Sequence, residues 1–167
     1  MTQGISFSTS QERPDDWWEV EALYDTCFAP GRTALSSYRL RDGVAPIPEL
    51  CLVARDDYGQ VAGAIRNWPV RVGEAPTILL GPVAVHPTYQ GEGIAALLIW
   101  RCLERAAKAG HPRMLLVGDA PYYSRFGFAR LDGIEMPPPT NPDRVLGLAL
   151  RRGGWDGITG TVERAHD

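Results

Sequence analysis

The sequence LGPVAVHPTYQGEGIA occupies residues 80–95 and sets the architecture of the chain. It runs from an apolar strand pattern through a glycine-containing turn directly into a helical pattern. The strand is predicted at residues 77–85 and the helix at residues 91–109, where Gly110 and Pro112 end it. A second apolar strand, predicted at residues 114–117, follows at once. Such a crossover unit pairs its two strands in parallel.

The turn between strand and helix has the properties of an anion-binding site. Gly91 and Gly93 remove side chains that would obstruct a close approach to the backbone. The helix start adds unpaired N–H donors and about half a positive charge, so a diphosphate fits without a lysine. The chain lacks G-x-x-x-x-G-K, and it lacks G-x-G-x-x-G with a ribose-binding acid. The pattern is instead Q-x-x-G-x-A, at Gln90, Gly93 and Ala95.

Length and composition indicate one domain over residues 1–167, because single cores take about 100 to 200 residues. The chain has 17 lysines and arginines against 20 acids, a net charge of -3, which supplies no field for binding nucleic acid. The first 14 residues lack a basic start followed by an apolar run, and no apolar run reaches about 18 residues. We therefore expect no membrane association and a cytoplasmic location.

The remaining elements predict an α/β (α+β) chain. Helical patterns follow Pro14 and cover residues 33–41, and residues 50–55 and 61–72 form an antiparallel hairpin. A short helix is predicted at residues 122–126. Two final strands are predicted at residues 145–151 and 157–162.

A second motif, GDAPYYSRFGF at residues 118–128, ends in Y-x-x-x-G-F. With Q-x-x-G-x-A after a strand, it makes the chain resemble the GNAT superfamily of acetyl-CoA-dependent N-acetyltransferases, and within it the YhbS-like branch. The likeness covers nearly all of the chain, including Pro30-Gly31-Arg32 and GITGTV at residues 157–162. It implies a mixed, mostly antiparallel sheet of about seven strands, with a parallel pair around the coenzyme and about four helices.

The resemblance also implies which residues bind acetyl-CoA, the one cofactor expected, without a metal. Main-chain groups of the strand end pair with the pantetheine arm, and amides of the turn hold the diphosphate. Arg125 is a candidate for the 3'-phosphate. The full set is Val83, Ala84, Val85, Gln90, Gly91, Glu92, Gly93, Ile94, Ala95, Ala96 and Arg125.

Tyr123 stands where the family's general acid usually stands, four residues before Gly127. An acid suits that place because attack on a thioester expels a thiolate with a pKa near 8.5. Tyr122 is an alternative candidate for the acid. The structural interpretation of Tyr123 is a packed aromatic side chain that anchors the short helix. The strand at residues 77–85 carries no acid or histidine, so the family's strand carboxylate does not transfer.

The proton acceptor and the amine-binding groups are left open by the sequence. His86, Asp119 and Glu74 are candidate bases, although each is more typical of a capping or surface group. A relay through water is an equally supported route for the proton. Three arginines before the sheet could attract a substrate carboxylate or phosphate, although a solvated helix surface is favoured: Arg32, Arg39 and Arg41. The adjacent Trp17 and Trp18 cannot share one helix face, and a homodimer contact is one use for them.

The sequence thus predicts transfer of an acetyl group from acetyl-CoA to a primary amine of a small molecule or peptide. The alternative is a non-catalytic acyl-CoA-binding sensor. The missing strand carboxylate favours the sensor, and Tyr123 favours the enzyme. The amine and the acyl-chain preference are not determined, since a fold does not decide a substrate.

Overall fold

The structure is a computed structural model that describes residues 6–28 and 36–165, without the side chains of Ser36 and Ser37. Within these residues one nine-stranded sheet carries four helices. The elements in chain order are β1 (Ser8–Gln11), α1 (Trp17–Cys27), α2 (Ser36–Arg39), β2 (Leu52–Arg55), β3 (Val61–Val72), β4 (Ala75–Val85), α3 (Ile94–Lys108), β5 (Arg113–Val117), α4 (Ala120–Tyr123), β6 (Ala129–Arg130), β7 (Ile134–Glu135), β8 (Val145–Ala149) and β9 (Gly160–Arg164).

The sheet is mixed and mostly antiparallel, as predicted. Its strand order is β1-β2-β3-β4-β5-β8-β6, and β4 and β5 form a parallel pair. β9 pairs with the last residues of β3, and β7 lies parallel to β9. The sheet has more strands than the predicted seven. The sequence pattern does not indicate β6 and β7, which have only two residues each, or β1, which carries no apolar alternation.

β4 and β5 separate soon after they meet. They pair only at Ile78–Met114 and Leu79–Leu115, although β4 continues to Val85. On its other side β4 has a bulge, because Gly81 and Pro82 together oppose the single residue Arg66 of β3. A bulge bends its strand and increases the local twist. Beyond Leu79 the edge of β4 therefore lies open toward β5.

Helices cover both faces of the sheet. One face is covered by α3, whose buried Leu98, Ile99 and Cys102 pack in a core cluster with Ile78 and Met114. The opposite face is covered by α1, where Val20, Leu23 and Tyr24 pack in a second cluster with residues of β2, β3 and β4. Burial of each leucine-sized side chain stabilises by about 1.5–3 kcal/mol. The two faces around the open edge are therefore lined by different helices.

Arg66 joins α1 to the centre of the sheet. Its side chain is only 3% exposed, and its Nε and Nη2 donate to the two oxygens of Glu12, each at 3.0 Å. Its Nη1 donates to Glu21 Oε2 at 2.5 Å. The guanidinium carbon lies 4.0 Å from the centroid of the Trp17 ring. Two carboxylates and an aromatic face thus compensate the buried charge.

The neighbouring tryptophans of α1 differ as the helical spacing requires. Trp17 is 39% exposed, beneath Arg66, whereas Trp18 is 80% exposed. A dimer contact at Trp18 stays a prediction. Among the described residues, even the 15-residue α3 is too short for a membrane-spanning segment, and the other helices are shorter.

Several boundaries moved where glycines take left-handed backbone conformations. α3 begins at Ile94 rather than at residue 91, because Gly91 and Gly93 have φ values of 88° and 78°. The last strand begins at Gly160 rather than at residue 157. The predicted short helix starts earlier, as α4, and continues as a 3-10 turn over Ser124–Phe126. Residues 33–35 of the predicted second helix lie outside the described residues.

Replacement of Arg66 by methionine should destabilise the fold by about 3–5 kcal/mol, because the carboxylates of Glu12 and Glu21 would lose their buried partner. Urea denaturation at neutral pH measures this change. Arg130→Met is the control, since the Arg130–Asp143 pair is exposed and should contribute less than about 1 kcal/mol. Equal losses in the two variants would contradict the anchoring role of Arg66.

Candidate active site

A cleft of about 190 Å³ lies where β4 and β5 separate. Its walls include Leu79 and Val83 of β4, Val117 at the end of β5, and Tyr123 of α4. Arg41, which follows α2, contributes to the wall on the α1 side. The cleft therefore joins the unpaired edge of β4 to the first residues after β5.

The main-chain groups of Val83 and Val85 face away from β3, toward the edge of β4 that β5 leaves open. His86 N donates to Ala62 O at 2.8 Å, so His86 is a hydrogen-bonded partner of β3. Bonding alternates along antiparallel strands, so Ala84 also bonds toward β3, while its two neighbours bond away from it. The Val85 carbonyl already accepts from Gln90 Nε2 at 3.0 Å and from Cys27 Sγ at 3.3 Å. Gln90 therefore holds the end of the strand.

The turn that follows presents amides at the positive end of α3 that have no partner among the described residues. Gly93 caps the helix, and the first helical bond is from Leu97 N to Gly93 O at 3.0 Å. The N–H groups of Ile94, Ala95 and Ala96 precede that bond. Glu92 N instead donates to Tyr89 O within the turn, at 3.3 Å.

Tyr89 and Asp56 hold this turn against the hairpin between β2 and β3. The Tyr89 hydroxyl donates to Asp56 Oδ2, while Asp56 Oδ1 accepts from Tyr58 N at 2.8 Å and Gln60 N at 2.9 Å. The hydrogen bond from Tyr89 is the main reason that the pKa of Asp56 lies below its usual value. The sequence pattern indicated only a turn at Asp56 and did not connect it to Tyr89.

Tyr123 packs in an aromatic cluster beside the cleft. Its ring centroid lies 5.0 Å from that of Tyr122 and 6.0 Å from that of Phe128. A Cβ atom at Gly118 would lie 2.6 Å from Tyr123 Cε2, so residue 118 must be small for the ring to keep its place. Burial raises the pKa of Tyr123 to about 12. The hydroxyl is therefore protonated at neutral pH.

Tyr122 and Arg125 contact each other instead. The Arg125 guanidinium carbon lies 4.4 Å from the Tyr122 ring centroid, and Arg125 Nε donates to Tyr122 O at 3.0 Å. Arg125 is exposed. Of the two adjacent tyrosines, Tyr123 is the one in the cleft wall.

Comparison with known proteins identifies the family. The model of the acetyltransferase (GNAT) family matches residues 17–128, more than half of the chain. The uncharacterized N-acetyltransferase YhbS of Escherichia coli K12 is 37% identical over 157 residues, which cover 91% of this chain and 92% of the relative. The chain belongs to the GNAT acetyltransferase family. The predicted likeness to YhbS is thereby confirmed.

Solved GNAT structures agree with this fold along nearly the whole chain. The crystal structure of YhbS from Escherichia coli in complex with CoA has a TM-score of 0.84 and 29% identity, covering 98% of this chain and 92% of that one. A GNAT acetyltransferase from Brucella melitensis in complex with acetyl-CoA has a TM-score of 0.72 and 30% identity, covering 96% and 97%. Both likenesses extend over more than 90% of each chain.

The candidate bases lie outside the cleft of this GNAT domain. His86 Nδ1 accepts from Thr88 N at 3.2 Å, and Asp119 Oδ2 accepts from Tyr122 N at 3.1 Å, so both cap turns. The Glu74 side chain is 97% exposed. The described residues contain no cluster of three or more His, Cys, Asp or Glu side chains that could hold a metal.

The arginines before the sheet have different environments. Arg39 is exposed and donates to Pro138 O at 3.2 Å, in agreement with a solvated surface. That expectation is wrong for Arg41, which is partly buried with its guanidinium carbon 3.9 Å from the Tyr38 ring centroid. Arg32 lies outside the described residues. The sequence analysis did not identify Glu21, which lines the same cavity as Arg41 and pairs with Arg66. The signal that could have indicated acidic partners is an arginine, Arg66, within an apolar strand pattern.

The Tyr89–Asp56 bond should make stability depend on pH. Because the pKa of Asp56 is lowered on folding, its contribution is present above the unfolded-state pKa of about 3.9 and is lost as the pH falls through the folded value. Asp56→Asn should lower the urea midpoint at pH 7, and the difference from the wild type should shrink below about pH 3.9. The control is Asp57→Asn, in the exposed part of the same hairpin turn. A difference that does not change with pH would contradict this role.

Proposed function

We propose that this GNAT protein transfers the acetyl group of acetyl-CoA to a primary amine of a small molecule or peptide. One observation carries the proposal: the unpaired β4 edge at Val83 and the protonated hydroxyl-bearing Tyr123 line a single cleft. The turn into α3 follows directly from that edge. The relatives solved with CoA and with acetyl-CoA support the choice of coenzyme.

The coenzyme binds along β4 and the turn that follows it. The segment Val83, Ala84 and Val85 accepts the pantetheine arm as an added strand through the main-chain groups of Val83 and the Val85 N–H. The amides of Gly91 and Gly93 through Ala96 receive the diphosphate. Arg125 at the surface takes the 3'-phosphate, and Gln90 acts by holding Val85.

The amine nitrogen attacks the thioester carbonyl carbon, the C–N bond forms, and the C–S bond breaks. The proton released from nitrogen balances the proton gained by the departing sulfur. Complete transfer from a phenol with a pKa of about 12 to a thiolate near 8.5 would cost about 5 kcal/mol. Tyr123 therefore acts as the acid by donating a hydrogen bond to the developing thiolate, while the nitrogen supplies the net proton.

Gly93→Glu should weaken acetyl-CoA binding more than 100-fold, because the new carboxylate would stand beside the diphosphate at the start of α3. Isothermal titration calorimetry measures the affinity. Gly110→Glu is a matched control at the other end of α3, since Gly110 also has a left-handed φ, of 87°, and open space around it. It should bind within about threefold of the wild type. Unchanged binding by Gly93→Glu would refute the site.

Tyr123→Phe should lower kcat at least about 100-fold and leave acetyl-CoA affinity nearly unchanged, because it removes only the donor to sulfur. Amine-dependent thiol release measures turnover, and Tyr122→Phe is the control outside the cleft wall. Full turnover by Tyr123→Phe would remove this residue from the chemistry. Wild-type binding of acetyl-CoA with no amine-dependent thiol release would instead identify an acyl-CoA sensor.

A further inference from the structure

A second cavity of about 210 Å³ adjoins the cleft on the face opposite α3. We call it the acceptor chamber. The two cavities share Tyr38, Arg41 and Pro82, so they meet at the β4 bulge. The other residues of the chamber wall are Trp17, Glu21, Asp42, Arg66 and Trp68. A molecule in the chamber therefore reaches the acetyl position from the side that α3 leaves open.

Two buried donors belong to residues of the chamber wall and have no partner in the described part of the chain. Among the described residues, neither Arg41 Nε nor Trp68 Nε1 makes a hydrogen bond, and both atoms are inaccessible to solvent. Trp68 as a whole is only 7% exposed. Buried N–H groups in proteins are nearly always paired, so these two donors leave the polar groups of the chamber wall incompletely satisfied.

The arrangement of Arg41 makes it suited to an anion. Its guanidinium carbon lies 3.9 Å from the Tyr38 ring centroid and 5.3 Å from that of Trp68, so the aromatic rings cover its faces. A stacked guanidinium keeps its N–H donors in the plane of the group, where they match the two oxygens of a carboxylate. Within the described residues Arg41 has no ion pair with an acid, whereas Arg66 in the same wall has two.

The charges around Arg41 restrict the chemical class of the ligand. Burial lowers the pKa of Arg41, so an anionic partner would stabilise its charged form. Glu21 and Asp42 lie in the same wall, but Glu21 is paired with Arg66. An anionic group on the amine substrate would therefore complement Arg41, which has no acidic ion-pair partner among the described residues.

We propose that the acceptor is an amine that carries an anionic oxygen group, a carboxylate or a phosphate, and that Arg41 binds this group in the acceptor chamber. The inference rests on the proposed acetyl transfer and names its substrate class. The reactive amine extends past Pro82 toward Val83, where the thioester is proposed to lie. Arg41 is therefore a specificity-determining residue.

Matched probes test the inference. Glycine, 4-aminobutyrate and 6-aminohexanoate are compared with their methyl esters, and O-phosphoethanolamine with ethanolamine, by thiol release from acetyl-CoA. The charged member of at least one pair should have at least a 10-fold higher kcat/KM, and the preferred pair distinguishes carboxylate from phosphate. Calorimetry on the CoA complex should show binding of the same charged probe.

Variants locate the selectivity. Arg41→Gln should raise KM for the charged probe about 10- to 100-fold, leaving its kcat, the neutral probe and acetyl-CoA affinity nearly unchanged. Arg41→Lys should recover only part of the loss, because it lacks the planar fork. Arg39→Gln, at the exposed neighbour, should match the wild type, and thermal denaturation verifies that each variant is folded.

The outcomes separate the two proposals. Equal use of charged and neutral probes, or an unchanged KM in folded Arg41→Gln, would overturn the anionic acceptor and leave acetyl transfer standing. The same conclusion holds if the CoA complex neither binds nor acetylates any charged probe. Loss of acetyl-CoA binding or of all thiol release with any amine would instead count against the proposed function.

Discussion

The short parallel contact between β4 and β5 is the constraint on which the site depends. The strands pair at Ile78 and Leu79 and then separate, while the bulge at Gly81 and Pro82 bends β4 away. A strand edge in a protein interior requires hydrogen-bond partners, so an edge that no strand covers is suited to a bound chain. The same separation lets Tyr123 enter the opening from the far side.

Two arginines near this opening differ in their burial and in their ion-pair partners. Arg66 is nearly inaccessible and has a bidentate contact with Glu12 and a second contact with Glu21, so its charge is compensated within the protein. Arg41 is stacked on aromatic rings, and its buried Nε has no partner among the described residues. Arg66 secures α1 on the sheet. Arg41 is the group that we propose binds the anionic group of the acceptor.

Much of this organisation could be predicted from local pattern. β3 was predicted with its observed bounds, and the crossover around α3 followed from two apolar strands and the glycine-containing turn. The cleft position of Tyr123 agrees with its place in the second motif. β1 was missed because it lacks alternation. Arg41 was misjudged because its exposure depends on Tyr38 and Trp68, and Trp68 lies 27 positions along the chain.

The sequence by itself determined the family, the crossover and the turn that starts α3, because glycine spacing and hydrophobic period act over a few neighbouring residues. Only the tertiary structure decided where β4 separates from β5, which tyrosine lines the cleft, and that Glu12 and Glu21 compensate Arg66. The contacts of Arg66 with Glu21 and Glu12, for example, join residues that are 45 and 54 positions apart in the sequence. The burial and charge of such groups arise only when the sheet and helices pack together.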